Sequence, residues 1–122
     1  MKRVPVTPLL AAVWCLCGCQ EQAVNPSDPP GNAGRGGRLL AQYHCGSCHT
    51  IPGVASARGR VAVTLESFGP RSYIAGRMPN TPKMLEQWLM DPQTLVPGTA
   101  MPHMGVSAAD AKDMAAYLGK LK

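Results

Sequence analysis

Cys45-Gly46-Ser47-Cys48-His49 is the stretch that decides how the rest of this 122-residue chain is interpreted. Two cysteines three positions apart lie side by side on one turn of helix, so both thiols face the same neighbour. A histidine follows directly, which places an imidazole beside the two thiols. This C-x-x-C-H spacing is typical of haem attachment, in which two thioether bonds form to one edge of a porphyrin and the histidine binds the iron.

Closely spaced cysteines also serve as redox dithiols, metal sites and disulfides. A redox dithiol is expected after a strand in a βαβ unit, which this sequence does not suggest. A zinc site needs a second pair of ligands, and downstream only His103 offers one. The other cysteines, Cys15, Cys17 and Cys19, cluster near the start and predict no disulfide framework.

A second iron ligand opposite His49 should come from a distant loop, because that loop has to cross the haem. The segment Val96 to Gly105 is rich in Pro and Gly and predicts such an extended loop. It carries Met101, His103 and Met104 within four residues. Flanking proline fixes the approach of Met101, which favours its thioether over the other two side chains or an open position.

The order of these features resembles a class I, mono-haem cytochrome c. A short helix precedes C-x-x-C-H, and after Pro97-Gly98-Thr99-Ala100-Met101-Pro102 comes a terminal helix containing Ala115-Ala116-Tyr117-Leu118. The resemblance covers roughly residues 36–122 and implies an all-α, loop-rich fold of three to four helices around one covalent haem c. It implies that Cys45 and Cys48 hold the haem, that His49 is the proximal iron ligand and that Met101 is the distal one.

Other features of this family map less closely onto the chain. In relatives a proline carbonyl accepts a hydrogen bond from the proximal histidine ring; the similar stretch here has no proline, and a carbonyl near Val63 is expected to serve. Arg71, Tyr73, Asn80 and Trp88 resemble positions near the haem propionates. Packing for Tyr73 and Trp88, and solvated surface for Arg71, are equal alternatives.

Hydrophobic spacing and capping residues predict the helices. A short helix is expected over residues 37–43, ending at the pentapeptide, and a second from Thr81 until Pro92. A third should begin at the capping sequence that starts with Ser107 and run to the C-terminus. Residues 51–76 show no sustained period and predict loops, with one helical turn near 72–75.

The first residues predict export of the protein. Lys2 and Arg3 precede a mainly apolar stretch that is too short to span a bilayer. Leu16-Cys17-Gly18-Cys19 then fits a lipoprotein cleavage box, so residues 1–18 are predicted as a signal peptide and Cys19 as the lipidated residue. Ordinary cleavage near Gly18 and an uncleaved anchor remain alternatives.

The segment after that box has almost nothing apolar to bury. Residues 19–35 are rich in Asn, Pro, Gly and Ser and predict a flexible linker, which leaves residues 36–122 as the cytochrome c domain. With 13 Gly and 12 Pro, so short a chain would build a poor core alone, and a buried planar cofactor would supply apolar surface.

The charge of the chain is mildly basic. The formal net charge is +5, and removing residues 1–18 leaves ten basic against seven acidic residues, or +3. This indicates either a solvated surface or weak steering toward an acidic redox partner. No basic patch is interleaved with aromatic residues, so a nucleic-acid partner is not expected.

An iron held between His49 and Met101 has no position left for a substrate. The sequence therefore predicts no enzyme and no small-molecule substrate, but a carrier, monomeric when free, that passes single electrons between respiratory or periplasmic redox proteins. It would face the periplasm on a lipid anchor in the membrane, or be soluble there without the lipid. The alternatives are a fixed haem subunit of a dehydrogenase or terminal oxidase complex and, less favoured, an open-site haem enzyme or sensor.

Overall fold

Four α-helices and one short hairpin form residues 30–122, the part of the chain that the computed structural model describes. The helices are α1 (Ala33–Gln42), α2 (Pro82–Met90), α3 (Pro92–Leu95) and α4 (Ala108–Leu118). A single 3₁₀ turn spans Cys45–Ser47, and strands β1 (Tyr73–Ile74) and β2 (Met78–Pro79) pair antiparallel. The helical, loop-rich fold is confirmed, with this hairpin added. The predicted signal peptide, Cys19 and most of the predicted linker lie outside the described residues.

The hairpin replaces the helical turn that the sequence predicted near residues 72–75, and that prediction is wrong. Tyr73 pairs with Pro79 and Ile74 pairs with Met78. Between the strands Ala75 and Gly76 have φ values of 51° and 67°. Two successive left-handed residues turn the chain back on itself, which a right-handed helical turn cannot do.

Helix α1 begins earlier than predicted. The predicted linker 19–35 and domain start at residue 36 need correction, because the helix already starts at Ala33. The Asn32 side chain caps it by accepting a hydrogen bond from the Arg35 N–H at 2.9 Å, and the Asn32 N–H donates to Asp113 Oδ1 at 2.7 Å. The last residues of the predicted linker therefore belong to the folded domain.

Helices α1 and α4 pack closely because α1 presents glycine at the point of contact. A Cβ atom on Gly36 would overlap the Asp113 carbonyl and lie 2.6 Å from its carbon. Around this contact Leu39 and Leu40 of α1 and Met114 of α4 are buried, as the predicted apolar faces require. The close approach of the two backbones brings the N-terminal and C-terminal helices together as the frame of the domain.

Polar contacts run along the edge of this helix pair. Arg35 pairs with Asp110 and, at 2.6 Å, with Asp113, and the Tyr43 hydroxyl donates to Asp110 at 2.8 Å. The hydrogen bond from Tyr43 lowers the pKa of Asp110, and the one from Arg35 lowers the pKa of Asp113. Both carboxylates are thus favoured in their charged forms by the packing of α1 on α4.

Helix α2 closes the core on the other side of α4. Thr81 caps it by accepting a hydrogen bond from the Met84 N–H at 3.2 Å, and Leu85, Trp88 and Leu89 are buried as predicted. Pro92 ends α2 but also starts α3, a short helix that the sequence did not predict. Asp91 provides its cap, so proline in the first turn is tolerated rather than disruptive.

Candidate functional site

The C-x-x-C-H pentapeptide forms a tight turn directly after α1. The N–H groups of Cys48 and His49 both donate to the Cys45 carbonyl, at 3.3 and 3.0 Å. Residues i and i+3 eclipse each other in such a turn, so the two cysteines share one side. Both are free, half-buried thiols, and burial raises the pKa of the Cys45 thiol. Adjacent thiols that are not joined in a disulfide are available to form thioether bonds to the two vinyl groups of a haem.

Backbone hydrogen bonds hold the pentapeptide against the segment that follows it. The Gly59 N–H donates to the Gly46 carbonyl at 2.9 Å, and the Ala62 N–H donates to the Cys48 carbonyl at 3.0 Å. Gly46 is buried against Ala57, where an added Cβ would lie 2.7 Å from the alanine Cβ. A small residue between the two cysteines therefore lets the chain wrap closely around the turn.

The His49 ring is oriented by a backbone carbonyl. Its Nδ1 lies 2.7 Å from the Val63 carbonyl oxygen, which accepts only, so the proton is on Nδ1. The other ring nitrogen, Nε2, then carries the lone pair that binds a metal, and the hydrogen bond fixes both the tautomer and the ring plane. The structure places the acceptor at Val63, as expected, although the stretch lacks the proline that relatives have.

The loop beyond Val63 is held by two side chains that donate to main-chain carbonyls. Arg71 donates through Nη2 to the carbonyls of Thr64 and Glu66, at 2.7 and 2.8 Å. The Asn80 amide donates to the carbonyls of Phe68 and Arg71, at 3.2 and 2.9 Å. Arg71 is thus half-buried and bonded to the loop backbone, so it has a structural role at the surface.

The two aromatic side chains expected near the propionates differ in burial. Trp88 is buried in the core, which agrees with its interpretation as a packing residue. Tyr73 is 60 % exposed, so packing does not account for it. Their placement near propionates, together with that of Arg71 and Asn80, stays a prediction.

The loop between α3 and α4 separates its three candidate ligands. Met101 is half-buried and packs against the hydrophobic core, whereas His103 and Met104 are exposed. The His103 ring is engaged nearby, since its Nδ1 accepts a hydrogen bond from the Gly105 N–H at 3.3 Å. This contrast favours Met101 as the buried thioether. Gln93 of α3, which no sequence pattern indicated, donates to two carbonyls of this loop.

The residues present fit a covalently bound haem. They supply two neighbouring thiols, an imidazole with a directed Nε2 and a soft thioether on a separate loop. Val61 and Val63 lie on the segment bonded to the pentapeptide and are 85 % and 68 % exposed, so apolar side chains are available there. Within residues 30–122 no group of three or more His, Cys, Asp or Glu side chains forms a metal cluster.

Comparison with known proteins agrees with this donor set. The chain matches the family Cytochrome c over residues 33–122. It belongs to the cytochrome c family. Family membership implies a covalently bound haem c, and the predicted function as an electron-transfer haem protein is confirmed at that level. The matched range begins with α1, so the cytochrome c family and the structure agree on an earlier domain start than residue 36.

Several curated relatives resemble most of this cytochrome c chain. It is 33 % identical over 106 residues to cytochrome c oxidase subunit 2 of Alkalihalophilus pseudofirmus, covering 86 % of this chain and 30 % of that protein. It is 32 % identical over 107 residues to the cytochrome c-type cyt cy of Rhodobacter capsulatus, covering 80 % of this chain and 53 % of that protein. Cytochrome c oxidase subunit 2 of Bacillus subtilis is 31 % identical over 87 residues, covering 70 % and 24 %. This chain spans about half of their length or less.

The described part of this cytochrome c contains no helix that is both long and apolar enough to cross a membrane. Its longest helix, α4, spans Ala108–Leu118 and is 11 residues long.

Proposed function

We propose that this cytochrome c carries single electrons between redox proteins, with its haem bonded to Cys45 and Cys48 and its iron held between His49 and Met101. The observation that carries the proposal is the hydrogen bond from His49 Nδ1 to the Val63 carbonyl, which fixes the ring and leaves Nε2 as the nitrogen that can bind iron. Met101 is half-buried against the core, whereas His103 and Met104 are exposed, and this difference supports Met101 as the second ligand.

Each part of the chain has a separate role in this proposal. The haem supplies a one-electron couple, and a thioether ligand raises its reduction potential. Cys45 and Cys48 would fix the haem to the chain, the Val63 carbonyl fixes the His49 ring, and Met101 would supply the second iron ligand. An iron held by both side chains would have no position for a substrate, so we infer a carrier rather than an enzyme.

Optical spectra of the holoprotein test this proposal directly. We expect sharp bands in the reduced protein, the far-red thioether-to-iron band in the oxidised protein, and no change when carbon monoxide is added. Met101→Ala should remove the far-red band, lower the potential and admit carbon monoxide. An unchanged spectrum in that variant would rule out Met101, and carbon monoxide binding by the unmodified protein would indicate an open site.

A fixed place in an oxidase complex is the second candidate, and the relatives favour it. Two of the relatives are named cytochrome c oxidase subunit 2, and this chain matches only part of each. A subunit should co-purify with terminal oxidase activity from detergent-solubilised membranes and withstand high salt. A free carrier should elute separately as a monomer and reduce the oxidase with a rate that depends on its concentration.

We also propose that the protein is exported and held at the periplasmic face of a membrane by lipid on Cys19. The sequence around Cys19 supports this, because it fits a lipoprotein cleavage box. Cys19→Ser should move the haem protein from the membrane fraction to the soluble periplasmic fraction. Cys17→Ser is the matched control and should leave the protein in membranes, and retention of the Cys19 variant there would contradict lipidation.

A further inference from the structure

The loop that carries Met101 has few backbone hydrogen bonds to keep it in place. The Val96 N–H closes α3 by donating to the Pro92 carbonyl at 2.9 Å, and the Thr99 N–H donates to the Val96 carbonyl at 3.1 Å. After this turn, the Met101 N–H has a weak partner in the Thr99 hydroxyl at 3.5 Å. The backbone around the proposed ligand therefore depends on contacts from outside the loop.

Gln93 makes those contacts through one side-chain amide. Its Nε2 lies 2.7 Å from the Thr99 carbonyl oxygen and 2.9 Å from the Met101 carbonyl oxygen. A glutamine amide has two N–H bonds, so both donors are used, one on each side of Ala100. This bidentate contact fixes the position and the direction of the peptide that carries the methionine.

The helix that presents Gln93 is itself held firmly. Asp91 caps α3, with Oδ1 accepting from the Thr94 N–H at 3.2 Å and Oδ2 accepting from the Thr94 hydroxyl at 2.7 Å. Pro92 is buried beneath this turn. Gln93 thus joins a fixed helical turn to a loop that has little regular structure of its own.

We propose that Gln93 is a positioning residue for the distal iron ligand, holding the Met101 loop so that the thioether stays on the iron. This inference rests on the proposed function, because it requires Met101 to be a ligand. Gln93 acts through the loop backbone, because its side-chain amide donates to two carbonyls of the loop. Its loss should raise the population in which the methionine has left the iron.

The size of the effect follows from the two hydrogen bonds. Gln93 is exposed, so water competes for both carbonyls and each bond contributes near the low end of the usual range. Losing both should raise the methionine-off population roughly five- to thirty-fold. While that population is small, the apparent affinity for an external ligand of the iron rises by the same factor. A merely structural loss of stability would not raise that affinity in the folded protein.

The test compares imidazole binding to the oxidised holoprotein in Gln93→Glu, Gln93→Leu and the unmodified protein. Glutamate keeps the size of the side chain, loses both N–H donors and suits the first turn of α3. It therefore separates the effect of losing the hydrogen bonds to the loop from any effect on the stability of α3. Gln87→Glu is the matched control, because Gln87 lies in α2 and its side chain makes no hydrogen bond to the described residues.

Both Gln93 variants should bind imidazole roughly five- to thirty-fold more tightly than the unmodified protein and show a weaker far-red band. The imidazole affinity of Gln87→Glu, and the helical circular dichroism of all three variants, should match the unmodified protein. Unchanged imidazole affinity in both variants, with the far-red band present in the unmodified protein, would overturn the role of Gln93 alone. Absence of the far-red band from the unmodified protein would overturn the proposed function as well, since Met101 would not be the ligand.

Discussion

The α1–α4 helix pair and the loops around the pentapeptide are stabilised in different ways. The helix pair is joined by buried apolar side chains, a close glycine contact and the Arg35 ion pairs. The loops are joined by hydrogen bonds from side chains to main-chain carbonyls, one from His49 and two each from Arg71 and Asn80. The contrast indicates that the helix pair sets the stability of the domain, whereas isolated polar contacts set the geometry of the site.

The largest effect should come from His49, where the loop region depends on one side chain. His49→Ala removes the proposed proximal ligand together with the hydrogen bond to Val63, and we expect no stable holoprotein to accumulate. Absorbance of covalent haem per purified protein measures this. His103→Ala is the control, and it should give normal yield and spectra because that histidine is exposed. A His49 variant with normal spectra would remove it as the ligand.

The next largest effect should come from breaking the helix pair. Gly36→Ala should lower the free energy of unfolding by about 3 kcal/mol or more, because its Cβ would overlap the α4 backbone. Gly34→Ala lies in the same helix with the nearest atom, Asn32 Oδ1, 3.4 Å away, and should be neutral or stabilising by about 0.5 to 1 kcal/mol. Denaturant unfolding of the two holoproteins measures this, and equal effects would contradict the close packing.

A smaller effect is expected from one of the loop contacts. Asn80→Leu leaves the carbonyls of Phe68 and Arg71 without their donor and should cost about 1 to 3 kcal/mol, with faster amide exchange confined to the loop. Asn80→Asp keeps the shape but not the donor, so it should cost at least as much. If Asn80→Asp were as stable as the unmodified protein, the stability lost in Asn80→Leu would come from the changed shape of the side chain rather than from the lost hydrogen bonds.

The smallest effect concerns the acid sensitivity of the helix pair. The bond from Arg35 lowers the pKa of Asp113 below the usual 3.8, so this contact contributes stability above that pH and loses it as the pH falls through the lowered pKa. Asp113→Asn should be less stable than the unmodified protein at pH 7 and should lose less stability on acidification below pH 3.8. The free energy of unfolding of both proteins, measured from pH 7 to below pH 3.8, checks both expectations. If the two proteins lost stability in parallel as the pH fell, the role of Asp113 in acid sensitivity would be contradicted.

The same contrast explains which parts of the structure the sequence predicts. Helices α2 and α4 follow from apolar spacing and caps at Thr81 and Ser107, both of which the structure confirms. The start of α1 was missed because its glycines resemble a linker, whereas Gly36 is small to admit α4. Because the backbone that requires a small residue at Gly36 belongs to another helix, the sequence around Gly36 carries no pattern that predicts it.

The candidate site shows a similar division. The pentapeptide and Met101 are visible in the sequence because their residue types carry the chemistry, and their assignment as ligands stays a prediction. The contacts of Arg71 and Gln93 are not visible, since a side chain that donates to a distant carbonyl has no characteristic spacing. The two-residue strands are too short to produce an alternating pattern.

The packing of the first helix of the domain on the last also has a consequence for gene architecture. Because Asn32, just before α1, bonds to Asp113 within α4, the polypeptide enters the folded unit beside its last helix. A unit of this kind is readily spliced into a longer polypeptide without disturbing its interior. This chain matches 30 % and 53 % of the length of two of its relatives.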